Sequence, residues 1–134
     1  MEAVIQAARE LGKQIQADET FIRFMTAQEA SESDTDLQEK IQIFNQKRNE
    51  LNGYLRQGQR DDAQVVALET EVQALYAGIF ENPNMVAFNA TRGEVQKMLD
   101  FVNQIIAAST NGNDPDKVEY QEDCGGSCSS CAGC

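Results

Sequence analysis

Apolar residues recur along most of the chain at the spacing of a helix face. Val4, Ala8, Leu11 and Ile15 step by four, three and four residues, which aligns them on one side of a helix. Asp18 interrupts that stripe and suits the start of a second helix. Phe21, Ile22, Phe24 and Met25 supply a second apolar face that lasts to about Ala30. SESDTD, residues 31–36, is a polar break. Asp34 or Asp36 can accept the free amide hydrogens of the next helix, and Asp36 with Glu39 three residues on resembles a capping box.

The third helix is expected over about 37–57. Leu37, Ile41, Phe44, Leu51 and Leu55 keep heptad a/d spacing, with Arg48 at the one skipped position. QGQRDD, residues 57–62, reads as a short turn with Gly58 at the helix exit and Asp61 or Asp62 at the next start. Val65, Leu68, Val72, Leu75 and Ile79 continue the three-four step without a gap. Two such helices joined by a short turn form an antiparallel helical hairpin. Pro83 in NPN, residues 82–84, stops the fourth helix, because proline disfavours a helical residue before it. A last helix is expected over about 85–109, with Phe88, Val95, Leu99, Val102 and Ile106 inward and Met98 and Ile105 flanking. Gly93 weakens it by about 1 kcal/mol relative to Ala and marks a candidate close helix crossing.

The pattern therefore predicts an all-α fold: a long antiparallel hairpin with flanking N- and C-terminal helices. Each hairpin helix is about 20 residues and about 30 Å long. Narrow apolar stripes on helices of that length call for partners outside one small chain. A homo-oligomer, a dimer through the hairpins or higher, is the expectation, and a monomeric four- or five-helix bundle is the alternative. From Thr110 the period is lost, and Asn, Gly, Asp and Pro accumulate. The organisation expected is a helical domain over 1–109, a flexible acidic linker over 110–123 and a cysteine-rich tail over 124–134 that binds metal.

Charge narrows the function. The 134 residues carry 22 acidic and 11 basic side chains, a net charge of −11. Nucleic acids are held mainly by Lys and Arg on phosphate, so no direct nucleic-acid binding is expected, and an anionic membrane surface is equally disfavoured. The opening MEAVIQAARELGKQ lacks the layout of a signal peptide, and a cytoplasmic location follows as the expectation. The chain has no histidine, which removes Ser-His and Cys-His pairs and histidine-containing zinc sites. No glycine-rich phosphate loop occurs, and the carboxylates form no convergent motif. The chain is not expected to be an enzyme.

The tail carries the one conspicuous chemistry. Cys124, Cys128, Cys131 and Cys134 are the only cysteines, separated by three, two and two residues of Gly, Ser and Ala. In a reducing cytoplasm such a cluster reads as a metal site rather than a disulfide framework. The intervals are those of the bacterial ferredoxin run in reverse order, and an iron–sulfur cluster, 4Fe-4S in kind, is the expected cofactor. All four thiols, or three with a fourth ligand from a partner, suffice for it. Zinc is the alternative, cramped because four-cysteine zinc sites usually join two knuckles across a longer loop. Another reading, prompted by Gly125-Gly126, is a helical leader joined to a modified or cleaved cysteine-rich peptide. Incidental thiols on a disordered end are the remaining one.

The stretches VIQAARELGKQIQADETFIRFMTAQEA and NPNMVAFNATRGEVQKMLDFVNQIIAA, with the polar break and the helical pair between them, resemble the YlbF/YmcA family of small helical bacterial proteins. The resemblance covers about residues 2–109, and the tail is similar to that of YlbF-type members. It implies an all-helical oligomeric regulator that works with YmcA-like and YaaT-like partners in an iron–sulfur-associated complex. That complex acts indirectly through RNase Y on RNA processing, and on sporulation, competence and biofilm formation. Cluster ligation carries over to Cys124, Cys128, Cys131 and Cys134. Some family members lack the tail, so it does not follow from the helical core.

One basic stretch departs from the acidic background. Between Lys40 and Arg60 lie five basic residues and one acidic residue, Glu50. Lys47, Arg48, Arg56 and Arg60 are candidate partner-binding residues. The plainer reading is a solvated helix with salt bridges, Arg48 extending its aliphatic stem from the apolar seam.

Overall fold

The computed structural model describes residues 1–57 and 61–122. It contains five α-helices, α1 (Glu2–Ala17), α2 (Glu19–Ser33), α3 (Thr35–Arg56), α4 (Asp62–Phe80) and α5 (Pro83–Thr110), and a short 3-10 turn, Pro115–Lys117. No strand occurs among the described residues. The chain divides into two compact units, Met1–Val95 and Gln96–Cys134, and α5 contributes to both.

Side-chain caps set the helix starts. Asp18 accepts from the Thr20 amide at 2.8 Å and opens α2; Asp61 accepts from Ala63 at 3.0 Å and opens α4. The expected polar break of residues 31–36 shrinks to Asp34 alone. Helix α2 runs through Ser33, whose neighbours Ser31 and Glu32 remain helical. Asp34 is the cap of α3, accepting from the Leu37 amide at 3.0 Å. Asp36 lies in the first turn and pairs with Lys40 at 2.7 Å instead. Helix α5 begins at Pro83, earlier than expected, because the Asn82 side-chain oxygen accepts from the amides of Asn84 (2.8 Å) and Met85 (3.2 Å). Proline fits that first helical position, since its missing N–H would have no partner there.

Within the first unit α3 and α4 form the hairpin. Leu37 is fully buried, and Ala27, Val65, Leu68 and Ile79 complete the buried apolar set. Phe24 of α2 meets Phe88 of α5 with ring centroids 5.7 Å apart, and Arg23 pairs with Glu94 at 2.7 Å. The two bends are tied together by Asp34. Its second carboxylate oxygen accepts from the side-chain amides of Asn82 (3.1 Å) and Asn84 (2.9 Å). Across the α2–α3 bend, the Gln38 side chain donates to the Ser31 carbonyl at 2.9 Å.

Several positions expected to face inward stand exposed: Val4 (70%), Leu11, Ile22, Met25, Leu55 and Ile106 (52%). Helix α1 buries no residue. A Cβ at Gly93 would meet nothing within 4 Å, so the expected close crossing is absent among the described residues.

In the second unit, α5 ends in a Schellman motif. Gly112 takes φ +80, Gly112 N–H donates to Ser109 O at 3.0 Å, and Asn113 N–H donates to Ala108 O at 3.0 Å. The chain then turns back along α5, so the residues expected as a flexible linker follow a defined path up to Glu122.

Leu37→Ala is expected to lower the free energy of unfolding by about 2–5 kcal/mol, whereas Gln42→Ala on the exposed face of α3 should stay within about 0.5 kcal/mol. Urea titrations of both variants check this. The bonds from Leu37, Asn84 and Asn82 hold the Asp34 carboxyl below its ordinary value of 3.8. Stability from that group is present above the unfolded-state value and is lost as pH falls through the lower folded value. The urea midpoints of the native chain and Asp34→Asn are therefore expected to differ constantly above about pH 5 and converge in acid below about pH 4; a gap unchanged at low pH would deny the carboxylate this role.

Candidate functional site

Two places hold the chemistry singled out by the sequence: the basic face of the hairpin and the approach to the cysteine tail. On α3, Lys40, Phe44 and Arg48 are four residues apart, so they share a face. The Arg48 guanidinium lies 5.8 Å from the centre of the Phe44 ring, within cation–π range. Phe44 in turn faces Tyr76 of α4 at 6.0 Å, and Tyr76 stacks on Phe80 at 4.4 Å. Tyr76 and Phe80 are exposed, so this aromatic row borders the basic residues at the surface.

The basic residues divide by role. Lys47 reaches across the hairpin to Glu71 at 3.0 Å, with Glu50 at 3.8 Å. The hydrogen bond and charge of Glu71 hold its ammonium above the ordinary value. Its charge is thus already matched within the hairpin. Arg48 and Arg56 are exposed and make no ion pair among the described residues. Arg60 lies outside the described residues.

The approach to the tail is built by the C-terminal half of α5. Asp114 accepts from the Asp116 amide at 3.1 Å and caps the 3-10 turn. Beyond it Val118 and Tyr120 are half-buried while Glu119 and Gln121 are exposed, the alternation of an extended segment. The Tyr120 ring meets Phe101 edge-on at 5.8 Å. The Gln104 side-chain amide donates to the Gln121 carbonyl at 2.7 Å, and its oxygen accepts from the Gln121 amide at 2.9 Å. Lys97 lies 3.7 Å from Glu122. Gln104, Phe101 and Lys97 are spaced by three and four residues on one face of α5.

Sequence reasoning did not find Gln104, Tyr120 or Phe101. The available signal was the apolar alternation of Val118 and Tyr120; nothing local marks Gln104 as its partner. Cys124, Cys128, Cys131 and Cys134 lie outside the described residues. Among the described residues no group of three or more Cys, Asp or Glu gathers as a metal site. None of the described helices is long and apolar enough to cross a membrane.

Comparison with known proteins is consistent with this architecture. No curated protein and no solved structure gives a significant match. The family model described as "Control of competence regulator ComK, YlbF/YmcA" matches residues 4–111, a span that holds α2 to α5 and all of α1 but its first two residues. The chain belongs to the YlbF/YmcA family of regulators.

Proposed function

We propose that this chain is a non-enzymatic cytoplasmic adaptor that works by assembly and carries an iron–sulfur cluster on its cysteine tail. The observation that carries the adaptor reading is the imbalance between buried and exposed apolar side chains. Among the described residues five apolar residues are buried, whereas Val4, Ile5, Ile22, Met25, Val66 and Val86 are among thirteen large apolar side chains that are exposed. Apolar side chains left in water along the helices are available to an interaction partner. Self-association through the hairpins uses part of it. YmcA-like and YaaT-like proteins are the heterologous partners in this reading, and through them the chain influences RNase Y, RNA processing and the choice among sporulation, competence and biofilm growth.

The donor set supports the cofactor. Four thiols within eleven residues, separated by small residues, offer soft ligands and backbone amides suited to iron–sulfur ligation. The cluster would supply a redox- or iron-sensitive charge at the end of the chain. The acidic surface and the matched Lys47 leave Arg48, beside the aromatic row of Phe44 and Tyr76, and Arg56, further along α3, as the face for an acidic partner.

Anaerobic reconstitution with ferrous iron and sulfide is expected to give visible absorption and bound iron and sulfide, both lost in a chain with serine at all four cysteine positions; colourless, iron-free protein would sink the cofactor assignment. Arg48→Glu combined with Arg56→Glu is expected to slow association with the YmcA-like and YaaT-like proteins and flatten its salt dependence. Stopped-flow association at two ionic strengths checks this, and unchanged kinetics would remove these arginines from the interface.

A further inference from the structure

We propose that Asn111 is a site of self-modification: the Gly112 nitrogen closes on its side-chain amide, ammonia leaves, and the acid that forms undoes the turn that ends α5. The proposal rests on the turn itself and is independent of the cofactor assignment.

Asn-Gly occurs twice in the chain, at Asn52–Gly53 and at Asn111–Gly112. Glycine has no Cβ to crowd its nitrogen, so both pairs have the composition for ring closure. Both are exposed, and neither glycine has a packed neighbour within 4 Å of its Cβ position. Shielding therefore does not separate them, but the backbone does. Asn52 and Gly53 lie within α3, flanked by the half-buried Leu51 and Tyr54. A helical ψ near −42° turns the Gly53 nitrogen away from the Asn52 side chain, and the helical ladder bonds its amide four residues back. Asn111 and Gly112 instead follow Thr110, the last residue of α5. Every residue from Ser109 to Lys117 is exposed. Three end bonds hold the turn: Asn111 N–H to Ala108 O at 3.1 Å, Gly112 N–H to Ser109 O at 3.0 Å and Asn113 N–H to Ala108 O at 3.0 Å. An exposed helix end of this kind opens at lower free-energy cost than a turn anchored by buried side chains.

In the open turn the Gly112 amide proton passes to hydroxide. Its nitrogen bonds to the Asn111 Cγ, and the Cγ–Nδ2 bond breaks. The departing nitrogen takes a proton from water and leaves as ammonia. Water then opens the five-membered succinimide. Opening at Cγ gives aspartate, and opening at the main-chain carbonyl gives isoaspartate. The sum is one asparagine and one water converted to one acid and one ammonia, with no oxidant and no second protein. Isoaspartate routes the chain through its side-chain carbon, which inserts a methylene into the backbone. The bonds from Gly112 and Asn113 to Ser109 and Ala108 then lose the spacing that a Schellman motif requires. Either product also sets a carboxylate at the C-terminus of α5, the negative end of the helix dipole. The reaction thus traps the turn open.

The test is to age the full chain in reducing buffer at neutral and at mildly alkaline pH, and to follow both pairs by peptide mass mapping and enzymatic methylation of isoaspartate. Asn111 is expected to convert about tenfold faster than Asn52, and faster still at the higher pH, because the Gly112 proton has to leave. The two rates should converge in urea, where neither pair keeps its backbone restraint. Asn111→Ala retains Gly112 and removes the reacting amide, so it should show no conversion at that position and an unchanged helix content. Amide exchange at Gly112 and Asn113 should be about fivefold faster in the aged chain than in the fresh one. Equal conversion of the two pairs in the folded chain, or conversion of Asn111 in urea alone, overturns the site. Rates that stay apart in urea overturn the backbone cause. An aged chain converted at Asn111 whose Gly112 and Asn113 amides exchange as slowly as before overturns the effect on the turn.

Discussion

The Asp34 carboxylate accepts from three groups at once: the Leu37 amide and the side chains of Asn82 and Asn84. One oxygen begins α3, and the other reaches the turn in which Asn82 begins α5. The bend between α2 and α3 and the bend between α4 and α5 are thereby fixed to each other across about 50 residues of chain. Leu37, the one fully buried large side chain, follows Asp34 by three residues. The hairpin's interior is therefore set down beside this knot, and the rest of the first unit takes its register from it. A charged acceptor suits the task, since hydrogen bonds to an ionised group are roughly twice as strong as neutral ones.

Periodicity made the helices legible because an amphipathic stripe is a local property. The cap at Asp18 was legible for the same reason, and the start of α4 was narrowed to Asp61 or Asp62, of which Asp61 is the cap. At residues 31–36 two aspartates offered equivalent local chemistry, and the choice of Asp34 depended on Asn82 and Asn84, far along the chain. A stripe also states that a face is apolar without stating what covers it; Leu55 and Ile106 keep the spacing of core residues and yet stand in solvent. The return along α5 was hidden by composition. Asn, Gly, Asp and Pro suggest looseness, whereas here Gly112 and Asp114 build a defined turn and Gln104, 17 residues before Gln121, receives it. The cysteine spacing was plain in the sequence, and the four thiols lie outside the described residues.

Charge is unevenly divided between the hairpin and the residues from Gln96 onward. In the hairpin, Lys47 with Glu71 joins α3 to α4 across the surface, and Arg48 lies over an aromatic ring. Of the described residues from Gln96 onward, Asp100, Asp114, Asp116, Glu119 and Glu122 outnumber Lys97 and Lys117. One end thus presents cations next to exposed rings, the other an acidic segment leading to thiols.

Helix α1 has the cleanest apolar stripe in the chain and buries none of it. A lone helix of 16 residues is barely stable in water, so its order has to be lent by whatever lies over Val4, Leu11 and Ile15. Its folding is then conditional: covered, the first turns wind; uncovered, they fray. The amino terminus is in that sense a record of its surroundings, written in backbone conformation.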